Sequence, residues 1–456
     1  MPLTDEPLSS PEAKEQTPTA VLRATEAAQV PHRWRNLMTM TGVVVVDSTE
    51  GGITTSLFPT IAKALGLDNG HLGILAAVGK MISVPFGPAW VWLAGKTSRR
   101  TALALSTLLG GVFGITAGFA QNFLMLLIPT TLMAAALIGS QPIANAVIGD
   151  SFDDRRRGRA VGIFYGLASL LGSIISPLVA QLTHFSDGWR WGMWGLGALC
   201  MLGAVAILAL FSDPGIGAAE NQLADLSKEK RDKVRPTFRS VISLFRVPSY
   251  SIMMVSRLLS GHLLIGVFGV QFLATVRNFD NATAAIVLLP FGIGYFVGTL
   301  AGGFTVSWLD NVLPHRGRVI FIQSAQVFFA FVAFLATQFD YKNIGIYAIF
   351  WALMGIGQGA NPGVNRPIIM SVTLPEVRGQ AFAIMITIFE AIGWGLFSIG
   401  AGALADTLGL QAVFLWVLVI LMLVNALVLS ALYVTYPRDV RRVDAILEQR
   451  RTELVK

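Results

Sequence analysis

The stretch SFDDRRRGRAVGIF, residues 151–164, has a counterpart in the second half of the chain, TLPEVRGQAFAIM at residues 373–385. In both stretches a polar, charged segment leads through Arg-Gly into a new apolar run. The preceding apolar runs also correspond, since GSQPIAN at 139–145 and GQGANP at 357–362 contain glycine, glutamine, proline and asparagine. The chain is therefore predicted to contain two parallel copies of one unit, as in proteins that alternate access to a site between such copies.

The composition places these units in a membrane. Hydrophobic residues make up 54% of the 456 residues and charged residues only 13%, whereas a soluble domain carries about 25% charged residues. The single cysteine, Cys200, excludes a disulfide framework, and the five scattered histidines lack the spacing of a zinc site. GILAAVGKM at 73–81 departs from the spacing of a phosphate-binding loop. These features predict a membrane protein that is not an enzyme, needs no cofactor and draws its energy from a proton gradient.

Apolar runs long enough to cross a membrane follow the polar N-terminal segment. A crossing helix needs about 20 largely apolar residues, and the chain contains about twelve such runs. They lie at residues 37–64, 71–94, 101–119, 123–149, 160–182, 191–211, 249–275, 284–308, 319–338, 344–371, 381–404 and 411–434. The predicted fold class is an all-α membrane protein with twelve transmembrane helices in two six-helix bundles.

The basic residues of the connectors predict the orientation of these helices, because lysine and arginine collect on the cytoplasmic side of membrane proteins. They flank the first and last runs and follow the second, fourth, eighth and tenth: Arg33, Arg35, Lys96, Arg99, Arg100, Arg155, Arg156, Arg157, Arg159, Arg316, Arg318, Arg378, Arg441 and Arg442. All of these positions fall on one side of a twelve-helix chain. Both termini are therefore predicted to be cytoplasmic, with the protein in the cytoplasmic (inner) membrane.

The positions of the apolar runs divide the chain into five segments. These are a disordered cytoplasmic tail at 1–34, the first bundle at 35–212, a charged cytoplasmic linker at 213–248, the second bundle at 249–435 and a cytoplasmic amphipathic tail at 436–456. In the last segment Val440, Val443 and Leu447 share one helical face. That face predicts a helix lying on the anionic inner leaflet, with a solvated tail as the alternative.

Two carboxylates interrupt the first apolar run, in VVVVDSTEGG at residues 43–52. Asp47 and Glu50 are three residues apart and therefore lie on one face of a helix. Ionisable side chains inside a membrane span are costly and usually functional. Two acids this close in a low-dielectric cavity resist being ionised together, which suits a group that loads and releases protons. They are predicted to couple transport to protons; the alternative is that one acid forms a permanent salt bridge with Lys80 or Arg257.

Other polar residues inside the spans are predicted to face the same central cavity. Glu390 and His262 are further candidates for proton coupling, but Glu390 could instead form a salt bridge with Arg257, and His262 a hydrogen bond within the helix packing. The candidate substrate-binding residues are Lys80, Arg257, His262, Gln141, Asn145, Gln358 and Asn361. For the four amides, the alternative role is to join helices through hydrogen bonds.

Two connectors carry motifs that resemble those of the major facilitator superfamily, and the resemblance covers residues 35–435. WVWLAGKTSRRTAL at 90–103 resembles the family's G-x-x-x-D-R-x-G-R-R loop, with Gly95 in place of the aspartate. GDSFDDRRRGRAVG at 149–162 is similar to the family's segment between spans four and five. GLASLLGSIISPLVA at 166–180 partly matches the antiporter motif, and spans one and four resemble spinster-type transporters of lipids and drugs.

The resemblance implies the fold of that family and a cytoplasmic gate at these connectors. The gate residues would be Lys96, Arg99, Arg100, Asp150, Arg157 and Arg378. Because the usual aspartate is lost, Asp150 is predicted to pair with Arg99 or Arg100 in its place. In this family's mechanism residues 35–212 would rock against residues 249–435 around a cavity at the membrane midplane.

The resulting hypothesis is a monomeric, proton-coupled secondary transporter that exports a small amphipathic or drug-like molecule, as drug/proton antiporters do. Its predicted partners are that small molecule, protons and membrane lipids, with no nucleic acid. Three alternatives remain open. They are a proton symporter that imports an organic anion held by Lys80 and Arg257, a lipid or lysolipid transporter, and a membrane receptor that does not transport.

Overall fold

The computed structural model describes residues 30–455 except 224–225, 232–235, 281–282 and 285. All regular secondary structure of these residues is helical. The helices of the first half are α1 (Arg33–Leu65), α2 (Asn69–Lys96), α3 (Arg99–Ala117), α4 (Phe123–Leu137), α5 (Ser140–Ser151), α6 (Asp154–Ala180) and α7 (Gly188–Leu210). Most of the predicted N-terminal tail lies outside the described residues.

The second half follows a linker with two short helices, α8 (Lys228–Arg231) and α9 (Phe238–Ile242). Its helices are α10 (Pro248–Leu258), α11 (Leu263–Thr275), α12 (Leu288–Val312), α13 (Arg316–Gln338), α14 (Ile344–Gly359), α15 (Pro362–Val372), α16 (Arg378–Ala383), α17 (Glu390–Gly395), α18 (Ala401–Leu408), α19 (Leu410–Phe414), α20 (Leu421–Leu429) and α21 (Leu432–Val455). Wider π-helical turns join α16 to α17, α17 to α18 and α19 to α20. Each of the predicted spans is therefore occupied by a helix or by consecutive helices.

Seven of the described helical stretches are long and apolar enough to cross a membrane. The stretch at residues 248–275, which contains α10 and α11, bends by 43° between Ile265 and Phe268 and is an eighth if it is counted as one span. Other predicted spans are interrupted or more polar; α1, for example, is 33 residues long but contains Asp47 near its middle. The chain is thus a multi-pass membrane protein, and the count of twelve crossings stays a prediction.

Polar residues in the connectors fix where several helices begin. Asp68 and His71 form a capping box at the start of α2, with the His71 N–H donating to the Asp68 carboxylate at 3.1 Å. Ser98 accepts from an N–H group in the first turn of α3 at 3.0 Å, and Asn122 does the same for α4 at 2.9 Å. These side chains satisfy donors that have no partner inside the helix, so each apolar run starts at a defined residue.

Apolar side chains form one large core that belongs to both halves and two that each belong to one half. The shared core includes Leu37 at the start of α1 together with Tyr250 and Tyr436 of the second half. One separate core surrounds Trp189 in the first half, and another surrounds Trp351 in the second. We refer to the end that holds the shared core, the linker and α21 as the linker face, and to the other end as the opposite face. The halves pack together at the linker face and have separate cores toward the opposite face.

The backbones of the two halves meet closely where α6 passes α12. A Cβ atom added to Gly162 would lie 2.8 Å from the carbonyl oxygen of Thr299 and 3.1 Å from Cα of Gly303. A side chain at this position would force the backbones apart, so glycine is needed for the approach. The contact belongs to the closed linker face, since both helices contribute to the shared core.

We expect Gly162→Ala to lower the thermal denaturation midpoint of the detergent-solubilised protein by several degrees, because overpacking costs about 1–3 kcal/mol. Gly172→Ala on the same helix is the matched control, since nothing lies within 4 Å of an added Cβ atom there. Alanine favours a helix over glycine by about 1 kcal/mol, so the control is expected to keep or raise the midpoint. Equal denaturation midpoints for the two variants would contradict the close backbone contact between α6 and α12 at Gly162.

The C-terminal helix α21 packs on the linker. Val443 and Leu447 are buried against Leu223 of the linker and Leu374 beside it. The apolar face of this helix is therefore covered by protein. Both the prediction of a helix on the lipid surface and the alternative of a solvated tail are wrong for these residues, because the spacing identified the apolar face but not the linker segment that covers it.

Candidate functional site

A cavity of about 410 Å³ lies among α1, α2, α4 and α5 and reaches Trp394 of the second half. Its volume lies within the range of small-molecule sites, about 300–1,000 Å³. Its polar lining includes Asp47, Lys80, Ser83, Ser140 and Gln141, and its apolar lining includes Leu72, Leu75, Ala134, Leu137 and Ile138. We call it the central cavity. Apolar walls with a few convergent polar groups are typical of a ligand site.

Asp47 lies on the wall of the central cavity with both carboxylate oxygens shielded from solvent. The neighbouring hydroxyl group is that of Ser140, the first residue of α5. Among the residues that the structure describes, no cation forms a salt bridge with Asp47, although Lys80 lines the same cavity. The side chain of Glu50 lies outside the described part of α1, so the pairing of the two acids stays a prediction.

Glu390 connects two cations, one from each half. Its Oε2 atom lies 2.6 Å from Nη2 of Arg257 in α10, and its Oε1 atom lies 3.9 Å from Nζ of Lys80 in α2. The three side chains are partly exposed, from 13% for Arg257 to 33% for Lys80, so a bound molecule can reach them. The salt bridge between Glu390 and Arg257, one of the two roles predicted for Glu390, is therefore present, and proton coupling by Glu390 stays a prediction.

The helix that carries Glu390 is irregular on both sides of that residue. π-helical turns run over Ile384–Phe389 before α17 and over Leu396–Gly400 after it. Such turns are rare and are frequent at functional sites. Glu390 and Trp394 are four residues apart and share a face of α17, with Trp394 at the central cavity and Glu390 against Lys80 beside it.

Neither His262 nor Arg257 is part of the lining of the central cavity. The chain breaks between α10 and α11, where Gly261 packs so closely that an added Cβ atom would lie 2.2 Å from the carbonyl oxygen of Val417. His262 instead lines a separate cavity with Arg257, of about 10 Å³, close to the minimum for one water molecule. The prediction that His262 faces the same cavity as Asp47 is wrong, because the helix is interrupted between Leu258 and Leu263 and the His262 ring packs with its centroid 6.0 Å from that of Phe329.

Of the four amides predicted to bind substrate, Gln141 lines the central cavity. Asn145 donates to the hydroxyl oxygen of Tyr165 at 2.8 Å, and Asn361 accepts from Gln326 at 2.6 Å. These two residues therefore join neighbouring helices, the alternative role for such amides. Gln358 is partly buried and lies outside the lining of the central cavity.

At the linker face, Asp150 joins the two halves. Its Oδ2 atom lies 2.6 Å from Nη2 of Arg99, and its Oδ1 atom lies 3.1 Å from Nη1 of Arg378 in the second half. Gly217 of the linker donates its N–H to the same Oδ1 atom at 3.0 Å. Of the two predicted partners of Asp150, Arg99 forms the pair and Arg100 does not. The side chain of Asp150 is fully buried, so these partners compensate the cost of removing its carboxylate from water.

The linker contributes a second carboxylate, Glu220, which sequence reasoning missed. Glu220 accepts from Arg157 of the first half at 2.6 Å and also pairs with Arg378 of the second half. Burial would raise the pKa of Glu220, but the two guanidinium groups outweigh burial and lower that pKa below its usual value. Glu220 therefore favours the closed linker face at pH values above the ordinary pKa of glutamate, and this contribution is lost as the pH falls through the lowered pKa.

A third set of charges crosses between the halves beside these two. Arg318 of α13 lies 2.7 Å from Asp154 of α6 and 2.7 Å from Asp310 of α12. We refer to the carboxylates Asp150, Asp154 and Glu220 with their partners Arg99, Arg157, Arg318 and Arg378 as the linker-face latch. Four of the six predicted gate residues belong to it: Arg99, Asp150, Arg157 and Arg378.

Two predicted gate residues lie outside the linker-face latch. The Nζ atom of Lys96 lies 4.0 Å from the ring centroid of Trp92, one turn earlier in the same helix. Arg100 donates to the carbonyl oxygen of Leu208 at the end of α7. Both cations therefore stay within the first half, whereas a gate residue must contact both halves or the linker.

Comparison with known proteins relates this architecture to a family. The Major Facilitator Superfamily model matches residues 40–350. The probable 4-methylmuconolactone transporter of Cupriavidus pinatubonensis is 22% identical over 80% of this chain and 82% of that protein. Protein spinster homolog 3 of Homo sapiens is 22% identical over 73% of this chain and 67% of that protein.

A solved structure has the same fold. The crystal structure of the human organic anion transporter MFSD10 (TETRAN) matches with a TM-score of 0.69 at 15% identity, over 88% of this chain and all of that one. The family model matches more than half of the chain, and a spinster protein is among its relatives. The predicted all-α membrane fold and the predicted resemblance are therefore confirmed, and the chain belongs to the major facilitator superfamily, a family of membrane transporters.

Proposed function

We propose that this chain is a secondary transporter that moves a small organic anion together with a proton. The observation that carries the proposal is that one carboxylate, Glu390, is shared by Lys80 at 3.9 Å and by Arg257 at 2.6 Å. Two cations against one carboxylate leave an excess of one positive charge beside the central cavity. A carboxylate of the substrate would balance that charge through charge-assisted hydrogen bonds.

Asp47 determines whether the central cavity offers this positive charge. An ionised Asp47 would cancel the charge and repel an anion, whereas a protonated Asp47 leaves the charge available. The proton and the anion therefore favour each other's binding, and such a coupling is reciprocal by thermodynamic linkage. Glu390, held by two cations, serves in this scheme as their counterion.

The walls of the central cavity favour an anion with a compact apolar body. Leu72, Leu75, Leu137 and Ile138 supply apolar surface, and Trp394 adds an aromatic ring on the side of the second half. A ring-shaped monocarboxylate would place its ring against these side chains and its carboxylate toward Lys80 and Arg257. The name of the Cupriavidus relative supports this class, since 4-methylmuconolactone is a small ring that carries a carboxylate.

A second candidate function is export of a cationic, amphipathic or drug-like molecule in exchange for protons. The absence of a salt bridge to Asp47 among the described residues favours it, because an ionised Asp47 would then hold the cation. The predicted resemblance to spinster-type transporters of lipids and drugs is compatible with such a molecule or with a lipid, and a spinster homolog is among the relatives. The excess of positive charge around Glu390 opposes this function, so we place it second.

The linker face is the cytoplasmic side in this proposal, because the basic connectors, the start of α1 and helix α21 lie there. Transport would proceed by rocking of residues 35–212 against residues 249–435 around the central cavity. The linker-face latch supports a state in which the cytoplasmic side is closed. Breaking this latch would be required before an anion bound in the central cavity is released into the cytoplasm.

The proposal is tested with the full chain reconstituted in liposomes, with 4-methylmuconolactone and benzoate as radiolabelled probes. A proton gradient, acidic outside, is expected to drive uptake against the gradient of at least one probe. We expect Asp47→Asn to reduce this accumulation by about tenfold or more, while exchange of labelled for unlabelled probe without a pH gradient continues. Glu50→Gln shows the same loss if both acids of α1 couple protons.

Asp68→Asn is the matched control, because Asp68 is an exposed acid of the same half and asparagine caps a helix as well as aspartate. This control is expected to transport like the parent protein. Proton-driven accumulation that survives in Asp47→Asn and in the Asp47→Asn/Glu50→Gln pair would disprove coupling through these acids. Movement of a cationic drug against the proton flow, with no movement of either anion, would replace the proposal by the second candidate.

A further inference from the structure

A second cavity, at the linker face, is lined by several cations and is separate from the central cavity. It has a volume of about 440 Å³ and is lined by Arg35 of α1, Arg100 of α3 and Lys228 of α8. These three side chains come from separate segments of the chain and are exposed. We call this the basic cavity. None of these three cations belongs to the linker-face latch.

Among the described residues, Asp213 is the acid that lines the basic cavity, and it has other partners. Asp213 accepts the N–H of Gly215 at 3.0 Å and lies 3.9 Å from Nη1 of Arg99, which pairs with Asp150. The basic cavity therefore offers a cluster of positive charge. An anion with several oxygen atoms, such as a phosphate group, can accept hydrogen bonds from more than one of these cations.

The depth of the basic cavity is that of the membrane–water boundary. Its lining includes Ala209 and Phe211 at the end of α7, and the flanking Leu208 and Leu210 are 50% and 45% exposed. These leucines belong to the lipid-facing surface of a helix that is apolar enough to span the membrane. Trp34, in the first turn of α1, is also 44% exposed, as expected for an aromatic residue at headgroup level.

The backbone around the basic cavity is held in place before any ligand binds. The side chain of Asn36 donates to the carbonyl oxygen of Ser212 at 2.6 Å and accepts the N–H of Ser212 at 3.0 Å. This pair fixes the start of α1 against the end of α7, so Arg35 is presented beside the end of α7. Lys228 is tied to the same end, because it donates to the carbonyl oxygen of Asp213 at 2.8 Å.

We propose that the basic cavity binds the phosphate group of an anionic phospholipid. Basic pockets at helix ends on the cytoplasmic side are suited to such headgroups, and the exposed leucines of α7 would lie along the acyl chains. A lipid bound here would connect the linker, through Lys228, to the ends of α1 and α3. This site is independent of the transported substrate, so its test does not depend on the proposed function.

The test measures binding of phosphatidylglycerol to the purified, delipidated full chain by native mass spectrometry and by thermal shift in detergent. The variant is Arg35→Gln/Arg100→Gln/Lys228→Gln. Each lysine or arginine near a membrane surface favours an anionic lipid about fivefold, so the affinity is expected to fall at least about tenfold. The matched control removes three exposed cations of α21 on the same face that do not line the basic cavity, in Arg438→Gln/Arg441→Gln/Arg442→Gln. Because these cations do not contact a phosphate held in the basic cavity, the control is expected to keep its affinity within about threefold.

Phosphatidylcholine and inorganic phosphate are the two comparison ligands. Tight binding of phosphatidylglycerol and weak binding of both others would support a lipid phosphate site. If inorganic phosphate stabilises the protein as strongly as phosphatidylglycerol does, the basic cavity holds a soluble anion and the lipid assignment fails. It also fails if the α21 control loses as much affinity as the cavity variant, or if neither variant binds phosphatidylglycerol more weakly than the parent protein.

Discussion

Replacing Arg257 with methionine is expected to lower the rate of organic anion transport by about 100-fold or more. Truncating one partner of a hydrogen-bonded charge pair costs about 2–5 kcal/mol when the pair is buried. Arg257 is 13% exposed and lies 2.6 Å from Glu390, which is 26% exposed. In the proposed function the loss has two parts. The substrate carboxylate loses a cation, and Glu390 keeps only Lys80, at 3.9 Å, so the site changes from one excess positive charge to none.

The double variant Arg257→Met/Glu390→Gln separates these two parts. If Arg257 serves only as the counterion of Glu390, removing both charges restores a neutral pair and transport is expected to recover. If Arg257 also binds the substrate, transport stays low although the fold is repaired. The measurements are uptake of the two probes into liposomes, and the thermal denaturation midpoint as a check on folding.

Arg277→Met is the control for removal of an arginine from the second half. Arg277 is partly buried and donates to the carbonyl oxygen of Thr337 at 2.5 Å, away from the central cavity. We expect it to transport within about threefold of the parent protein. Full recovery of anion uptake in the Arg257→Met/Glu390→Gln variant would contradict binding of the anion by Arg257 and would leave Lys80 as the cation that binds it, because Lys80 still supplies one excess positive charge.

The helices were predictable because their signal is local. Length and apolarity of a run are properties of neighbouring residues, and capping residues such as Ser98 and Asn122 lie at the predicted ends. The break before His262 was not predictable in the same way. It lies at Gly261, whose close approach to the backbone of Val417 depends on where a helix far along the chain is packed.

The charged partners of the candidate site depend on three-dimensional packing in the same way. Sequence reasoning identified Lys80, Arg257 and Glu390 as intramembrane charges, but it could not show that Glu390 is shared by the two cations. Glu220 was missed because it lies in a segment read as a spacer. The one available signal was the short stretch SDPGIGAAE, residues 212–220, with two glycines directly after the first bundle; in the structure it contacts Asp150 and Arg157 of that bundle.

Asp150→Asn is expected to open the linker face. Asp150 is fully buried, and its two oxygens hold Arg99 at 2.6 Å and Arg378 at 3.1 Å. Removing one partner from a buried ion pair costs about 3–5 kcal/mol, and here the loss falls on the closed state, in which the two halves meet. The equilibrium between the closed and open linker face is therefore expected to shift by about 100-fold or more.

Spin labels at Gln121 and Lys342 measure this shift, because both are exposed residues of connectors at the opposite face, one in each half. The labels require replacement of the native thiol of Cys200, which is buried. Closing of the opposite face accompanies opening of the linker face in a rocking mechanism, so Asp150→Asn is expected to populate a shorter distance between the labels. Unchanged size-exclusion behaviour in detergent shows that the variant is folded.

Asp153→Asn is the control that makes the Asp150 result specific. Asp153 lies three residues away, is 29% exposed and pairs with Arg156 of the same helix. Asparagine keeps its capping function at the start of α6, so this variant changes the same charge on the same connector without touching the second half. A distance distribution that is identical in Asp150→Asn and Asp153→Asn would contradict the linker-face latch. A shift in Asp150→Asn alone would show that the buried pairs between the halves, and not the acidic character of the connector, hold the linker face closed.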